Sequence, residues 1–446
     1  MRLTDNLITK FKRRTAARSL RPKRKTPAKE GETKTVSKVR SGRNLGRWIP
    51  IIIALIILGS ILVNFVLPSL IDVLTLDFHR DPTDGNVTLS EWNGNSRLIV
   101  LLAGIDKHGD YSFVDAISLL VVDPENKTLG IFGINPDINI FSQSAGREVN
   151  LRTVFNNKYT QGKQAKVLIE AIENLVAVRI DRYALVDSDK FANLEQVLQP
   201  VQVQLGYSLH DPDVNAKYSG SFGWNSGNTT VANQEFLPFI SADANGRNEQ
   251  LARNQLLYGE IVKSLHSFAT VIRFPAVYQA FTEDLRSNLT KQDTLFIAAA
   301  LWGIRSDQIK TAYTKTASLI RQTDLGVYAS YDPAFESIDR DLSNLLFNFN
   351  IAHEQPRIEV LNGSSVRGLA SSRSRWVTNS GGRVVFFGNS QETEAKTKIY
   401  VTDPERYPST LRELERIFNG KVEYVYSEYV HKHIGDIIVV IGDDYQ

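Results

Sequence analysis

The sequence has no cysteine. That excludes a cysteine nucleophile, an iron–sulfur cluster and cysteine-based zinc sites, and it means any exported domain must hold together on its core alone. No Gly-x-Ser-x-Gly elbow is present, and no glycine-rich spacing of the kind that cradles a phosphate. Histidine is scarce, with seven in 446 residues. The one close pair, His431 and His433, has no third ligand nearby and reads as exposed loop. The last absence is local: from Trp48 to Ile71 there is no charged residue.

That run is rich in Ile, Leu and Val, with Pro50 and Pro68 near its ends, where a helix tolerates proline best. At about 1.5 Å per residue, some 20 helical residues cross a hydrocarbon core of about 30 Å. The run is longer than the apolar part of a cleaved leader, and no Ala-x-Ala follows it. It reads as a retained signal-anchor helix over 48–71.

Charge orients it. Residues 1–47 hold 16 Lys or Arg against three Asp or Glu, a net of +13, which leaves −10 for the rest of a chain of net +3. Basic flanks stay in the cytoplasm. The tail 1–47 is therefore expected inside and disordered, and the body outside the cell membrane. Contact of the tail with anionic membrane lipid follows from its charge. Nothing beyond charge points to nucleic acid, so none is expected as a partner.

Residues 72–96 are polar and read as a stalk. Leu98–Ala103 is an apolar run of the kind found in a fully buried strand. Ile117–Val122 and Leu129–Ile134, joined by a turn at Asp123–Lys127, read as a hairpin. Ala165, Leu168, Ile169, Ile172, Leu175 and Val176 share one helical face. Tyr183–Val186 reads as a strand, with Ser188 as the cap of a following helix. Residues 205–233 read as a long loop, and helices follow at 247–268 and 290–303. The mixture predicts an α/β or α+β domain over 97–315. A linker over 316–355 leads to a compact α/β domain at 356–446, with strands at 358–361, 384–387, 399–401 and 437–441 and helices at 366–379 and 408–418.

Asp106 follows a strand and Asp115 precedes one, positions where α/β proteins place ligands. Two close carboxylates suit a hard divalent cation; on spacing alone, solvated loop or cap residues are the favoured reading.

Leu101–Asp106, Asp115–Leu119, Gly133–Asp137, Glu148–Asn150, Glu173–Leu175, Asp181–Asp187 and Arg253–Gln255 together resemble the LytR-CpsA-Psr family. Val360–Gly363, Gly368–Ala370, Gly381–Gly382 and Val440–Asp444 are similar to that family's LytR C-terminal domain. The resemblance implies an α/β mixed-sheet core with flanking helices, and a membrane anchor with a short inner tail. It implies transfer of a polyprenyl-linked glycopolymer from its pyrophosphate carrier to cell-wall glycan. By the same resemblance Mg²⁺ sits on Asp106 and Asp115, Asp115 is catalytic, and Arg253 is the retained arginine that binds substrate phosphate. The family carries Arg-Thr-Asp where this chain has Phe113-Val114-Asp115, and Ser-Ile-Pro-Arg-Asp where it has Gly133–Asp137. Three more family arginines fall on Ile240, Ala242 and Gln250; Arg147, Arg152 and Arg247 lie nearby. Two readings stay open: an active transferase, and a member that has lost catalysis but still binds the polymer or serves as an envelope scaffold.

Overall fold

The computed structural model describes residues 77–85, 91–142, 146–156, 162–264, 268–315, 320–323, 326–329, 333–419, 421–424 and 432–445. The basic tail 1–47, the apolar span 48–71, residues 72–76 and 86–90 of the expected stalk, and His431 lie outside them. Among the described residues no helix is long and apolar enough to cross a membrane.

In chain order the first domain runs β1 (Leu98–His108), β2 (Tyr111–Asp123), β3 (Thr128–Ile134), β4 (Asn139–Ser142), β5 (Arg147–Asn150), α1 (Gln164–Val176), β6 (Arg182–Asp187), α2 (Ser188–Val197), β7 (Val201–Leu205), α3 (Pro212–Lys217), β8 (Gly227–Val231), α4 (Phe236–Ser241), α5 (Arg247–Ser264), α6 (Phe268–Asp284), β9 (Leu285–Ser287), α7 (Lys291–Gly303), β10 (Ile309–Tyr313), β11 (Ile320–Thr323), β12 (Gly326–Ala329) and α8 (Pro333–Leu346). Six strands form a mixed central sheet, ordered β10-β3-β2-β1-β6-β9. The β1–β2–β3 meander is antiparallel, while β6 runs parallel to β1 and β10 parallel to β3.

The apolar runs explain this sheet. In β1 the odd positions Ile99, Leu101, Ala103 and Ile105 face α1 and α8. The even positions Leu98 and Val100 face Trp92 and the inner side of α5 and α7. A strand buried on both faces has no polar alternation to show. α7 starts on a capping box: the Thr290 hydroxyl accepts from Asp293 N at 3.0 Å, and the Asp293 carboxylate accepts from Thr290 N at 2.9 Å. Thr290→Ala should cost about 1 kcal/mol, read as a lower denaturant midpoint with unchanged slope.

Two boundaries differ from the sequence reading. The described part of the expected stalk, residues 77–85 and 91–96, is already domain: Asp81 and Asp84 are buried, and the Tyr183 hydroxyl donates to Asp84 at 2.9 Å. The expected linker supplies α8, whose Ile338, Leu342, Leu345 and Leu346 close the core under β3 and β10. Its apolar residues recur at helical spacing, so the segment buries a face that a linker would leave exposed.

The second domain runs α9 (Phe349–Glu354), β13 (Arg357–Asn362), α10 (Leu369–Asn379), β14 (Arg383–Asn389), β15 (Lys398–Val401), α11 (Pro408–Phe418), β16 (Lys421–Tyr424) and β17 (Ile437–Ile441). Its sheet is ordered β14-β13-β17-β15-β16, with only β15–β17 antiparallel. His433, read as exposed loop, instead bonds the buried Glu359 carboxylate at 2.7 Å. The two domains meet across ion pairs that run from Arg97 and Asp181 of the first to Glu413 and Arg416 of the second.

Candidate functional site

The site begins at an irregularity in the β1–β2 hairpin. Gly104 pairs with Ala116 and Ile105 with Val114, so Asp115 is the extra residue of a bulge. Bulges re-aim one side chain out of the alternation, and this one sends Asp115 into a cleft of about 380 Å³. Asp106 enters the same cleft from the paired end of β1. Both acids therefore stand on paired strands, not in the loops the sequence suggested, because β1 and β2 continue to His108 and Tyr111.

Asp106 is nearly buried and fully engaged. Its Oδ1 accepts from Ser188 Oγ at 2.7 Å, and its Oδ2 pairs with Lys217 Nζ at 2.6 Å and His108 Nε2 at 2.7 Å. Burial works against its charge, but the hydrogen bonds from Lys217 and Ser188 outweigh it and hold the carboxyl below its ordinary value. Ser188, expected as a helix cap, spends its hydroxyl here.

Asp115 is half-buried and pairs with Arg152. Burial pushes its pKa up; Arg152 pulls it down, and the neighbouring Asp106 charge pushes it up again. Arg152 also donates from Nε to Asp137 at 2.6 Å, and Arg247 reaches the other oxygen of Asp137 at 3.2 Å. Asp137 is thus shared by two guanidinium groups.

Arg152 is brought here by its backbone. Its carbonyl accepts from Val114 N at 2.8 Å and its N–H donates to Pro136 O at 2.7 Å. Phe113 and Pro136 are positions where the family carries arginine. Arg152, two residues past β5, brings a guanidinium beside these segments through its backbone bonds to Val114 and Pro136. One of its nitrogens, Nη2, is buried and makes no hydrogen bond among the described residues. Leaving such a donor unpaired costs about 1–3 kcal/mol.

Lys217 and Arg247 are held over the cleft by Asp211. It caps α3 through Asp213 N at 3.0 Å and Val214 N at 3.2 Å, and its other oxygen accepts from Asp243 N at 2.9 Å, in the turn before α5. Burial opposes its charge, but these backbone donors prevail and lower its pKa. The stretch read as loop carried the signal for α3, since Asp211-Pro212 places an N-cap before a proline at the first helical position.

Arg253 does not join these groups. It is 2% exposed and lies outside the cleft, where Nη2 donates to the carbonyls of Phe239 and Ala242. Ile240 and Gln250 do line the cleft, in neutral form. Gln250 points back to the α4 carbonyls, donating to Ile240 O at 2.9 Å. Away from the charged groups the walls are apolar, formed by Leu102, Ala184, Val186, Phe191, Phe281 and Leu285 among others.

For a divalent cation the donor chemistry fits in kind. Asp106 and Asp115 are hard oxygen ligands on one wall, close enough for the charge of one to raise the pKa of the other. Among the described residues no group of three or more ligating side chains occurs, so substrate oxygens would have to complete the coordination, with Lys217 giving way at Asp106.

The arrangement is a cationic rim on a carboxylate pair above an apolar slot. The family model described as the LytR_cpsA_psr family matches residues 77–342, and the one described as LytR cell envelope-related transcriptional attenuator matches residues 355–445. The polyisoprenyl-teichoic acid–peptidoglycan teichoic acid transferase TagV of Bacillus subtilis is 21% identical over 218 residues, 48% of this chain and 55% of the relative. The corresponding transferase TagU of Halalkalibacterium halodurans is 23% identical over 192 residues, 43% of this chain and 60% of the relative. The chain thus spans little more than half the length of these relatives. The crystal structure of Bacillus subtilis TagV aligns with a TM-score of 0.46 at 16% identity, over 57% of this chain and 99% of that one.

Proposed function

The chain belongs to the LytR-CpsA-Psr family, and from that premise we propose that it is an extracytoplasmic, membrane-anchored glycopolymer transferase. Its substrate is a polyprenyl-pyrophosphate-linked glycopolymer and its acceptor a hydroxyl of cell-wall glycan. The observation that carries this is the pair Arg152 and Arg247 around Asp115 and Asp137, set over apolar walls. A pyrophosphate diester offers delocalised negative charge, which guanidinium forks match bidentately. Its prenyl tail needs an apolar slot.

In this reading Arg152, Arg247 and Lys217 bind the pyrophosphate oxygens and neutralise charge as the bridge breaks. The acceptor oxygen forms a bond to the phosphorus that bears the polymer. The bond from that phosphorus to the bridging oxygen breaks, and polyprenyl phosphate leaves. Asp115 takes the hydroxyl proton. Mg²⁺, held by Asp106 and Asp115, would add neutralisation of phosphate charge. The bilayer contact of the span 48–71 keeps the body near a headgroup whose tail lies in the membrane.

The neutral side chains at Ile240, Ala242 and Gln250 favour the second reading, a member that binds without turnover. Binding is common to both. The full chain titrated with polyprenyl pyrophosphate should bind, and Arg247→Ala should weaken it about 10- to 100-fold, since a charge-assisted hydrogen bond contributes roughly 1.5–3 kcal/mol. No binding by the unaltered chain would overturn the proposal.

A further inference from the structure

α7 is apolar on both sides. From Leu295 to Trp302 it has no polar residue. Phe296, Ile297, Ala300 and Leu301 pack inward against Trp92, Leu98 and Ile131. The outer side carries Leu295, 46% exposed, Trp302, 54% exposed, and the exposed Ala299 between them. Positions i, i+4 and i+7 form one stripe, where a helix facing water would be polar.

The helix cannot roll to hide this stripe. Asp293 is buried and paired with Arg182 at 2.7 Å, with a second contact at 3.3 Å. The same carboxylate closes the capping box with Thr290. Rotation about the helix axis would break a buried ion pair, at a cost of several kcal/mol.

Where the chain enters the domain identifies what covers the stripe. Asp77 pairs with Lys291 at the first residue of α7, at 3.3 Å, and Phe78 packs edge-on against Tyr278 with ring centroids 6.0 Å apart. Asp77 is six residues beyond Ile71, the last residue of the apolar span. Six residues reach at most about 20 Å. The start of α7 is therefore tethered close to the point where the span would leave the bilayer. Lys291, paired with Asp77, stands at one end of the stripe, and the exposed Arg305, paired with Asp307, just past the other. An exposed leucine and tryptophan are side chains that an element seated in a membrane interface presents to the headgroups. Thr290, at the helix start, lies three residues past the end of β9, whose Leu285 lines the cleft.

We infer that the outer face of α7 rests on the lipid surface, with Leu295 and Trp302 inserted among headgroups and the cleft thereby held at the membrane. This rests on the reading of residues 48–71 as a membrane span and is independent of catalysis. It makes the domain a body with a defined seat, so that a lipid-linked substrate meets the cleft in one orientation.

The absence of cysteine makes the test clean. Leu295→Cys, Trp302→Cys and, as a control on the second domain, the exposed Thr393→Cys each give the full chain a single thiol. Each is labelled with a polarity-sensitive fluorophore and reconstituted into phosphatidylcholine–phosphatidylglycerol vesicles. An interfacial helix sinks about 5–10 Å, so brominated lipid should quench the labels at 295 and 302 at least about twofold more than the one at 393. Iodide in the water should show the reverse order. Labels at 295 and 302 that iodide reaches and bromolipid does not would overturn the inference while leaving the anchor intact. Shielding from iodide without bromolipid quenching would mean that protein covers the stripe, and would also overturn it. A chain that fails to float with the vesicles would overturn both the seat and the anchor. Polyprenyl pyrophosphate titration in detergent scores the substrate reading separately.

Discussion

Asp115→Asn should lower transfer about 10²- to 10⁴-fold, the usual contribution of a positioned base, while polyprenyl pyrophosphate affinity measured without Mg²⁺ stays within about threefold. Asparagine keeps the shape and can still accept from Arg152, but it cannot take the acceptor's proton. Asp115 suits the role because its environment pushes its pKa up. A base must be deprotonated to act, so activity should fall toward acid, and the fall should begin at higher pH than for an ordinary exposed carboxylate. The neighbouring Asp106 gives a contrasting result. Its pKa is held down by Lys217 and Ser188 against burial, so it stays charged through the same range. Asp106→Asn should instead release Lys217 and disturb binding. Transfer rate and affinity measured together across pH separate the two roles. Equal loss of affinity and rate in Asp115→Asn would make Asp115 a binding residue only.

The second large effect lies far from the cleft. Arg416 pairs with Asp181 of the first domain at 3.0 Å and with Glu413 at 2.9 Å, and Arg97 reaches Glu413 at 3.2 Å and the Leu346 carbonyl at 2.5 Å. All four charged side chains are nearly buried. Removing one partner leaves an uncompensated buried charge, and Arg416→Ala should cost about 3–5 kcal/mol. Urea unfolding followed by probes in each domain should show both transitions shifting together, because the lost contact joins the domains. Burial alone would raise the Glu413 pKa, but Arg416 and Arg97 override it and bring it down to about 2. A depressed carboxyl pKa stabilises the fold above the ordinary glutamate value of 4.5 and loses that contribution as pH falls toward about 2. Acid sensitivity should therefore be smaller in Arg416→Ala than in the unaltered chain. A variant as stable as the parent would mean the pairs offset their own desolvation and that apolar packing alone joins the domains.

Much of the fold could be read from periodicity. The strands at Leu98–Ala103, Ile117–Val122 and Leu129–Ile134 and the helix of Ala165–Val176 are long, strongly patterned and buried where the pattern says. The helix over Phe268–Asp284 was not legible, because Pro275 reads as a breaker inside it. The resemblance singled out Asp106 and Asp115, which line one cleft, and Arg253, which is buried outside it, since sequence shows an arginine's position and not the direction of its side chain. Arg152 could only be named as near. What puts it against Asp115 is a pair of backbone hydrogen bonds to Val114 and Pro136, two segments more than 20 residues apart in the chain. Lys217 was missed because α3 is a single short turn in a stretch dominated by glycine, serine and asparagine.

The replaced arginines at Ile240, Ala242 and Gln250 are the strongest argument against turnover, and the guanidinium groups of Arg152 and Arg247 are the answer to it. One measurement decides between them. The full chain in lipid nanodiscs is given a polyprenyl-pyrophosphate-linked glycopolymer and wall-glycan fragments, and released polyprenyl phosphate and polymer-linked glycan are quantified together. The account predicts equal amounts of both products, lost in Asp115→Asn and in the Arg152→Ala, Arg247→Ala double variant. Tight binding of the lipid-linked polymer with neither product formed would contradict it.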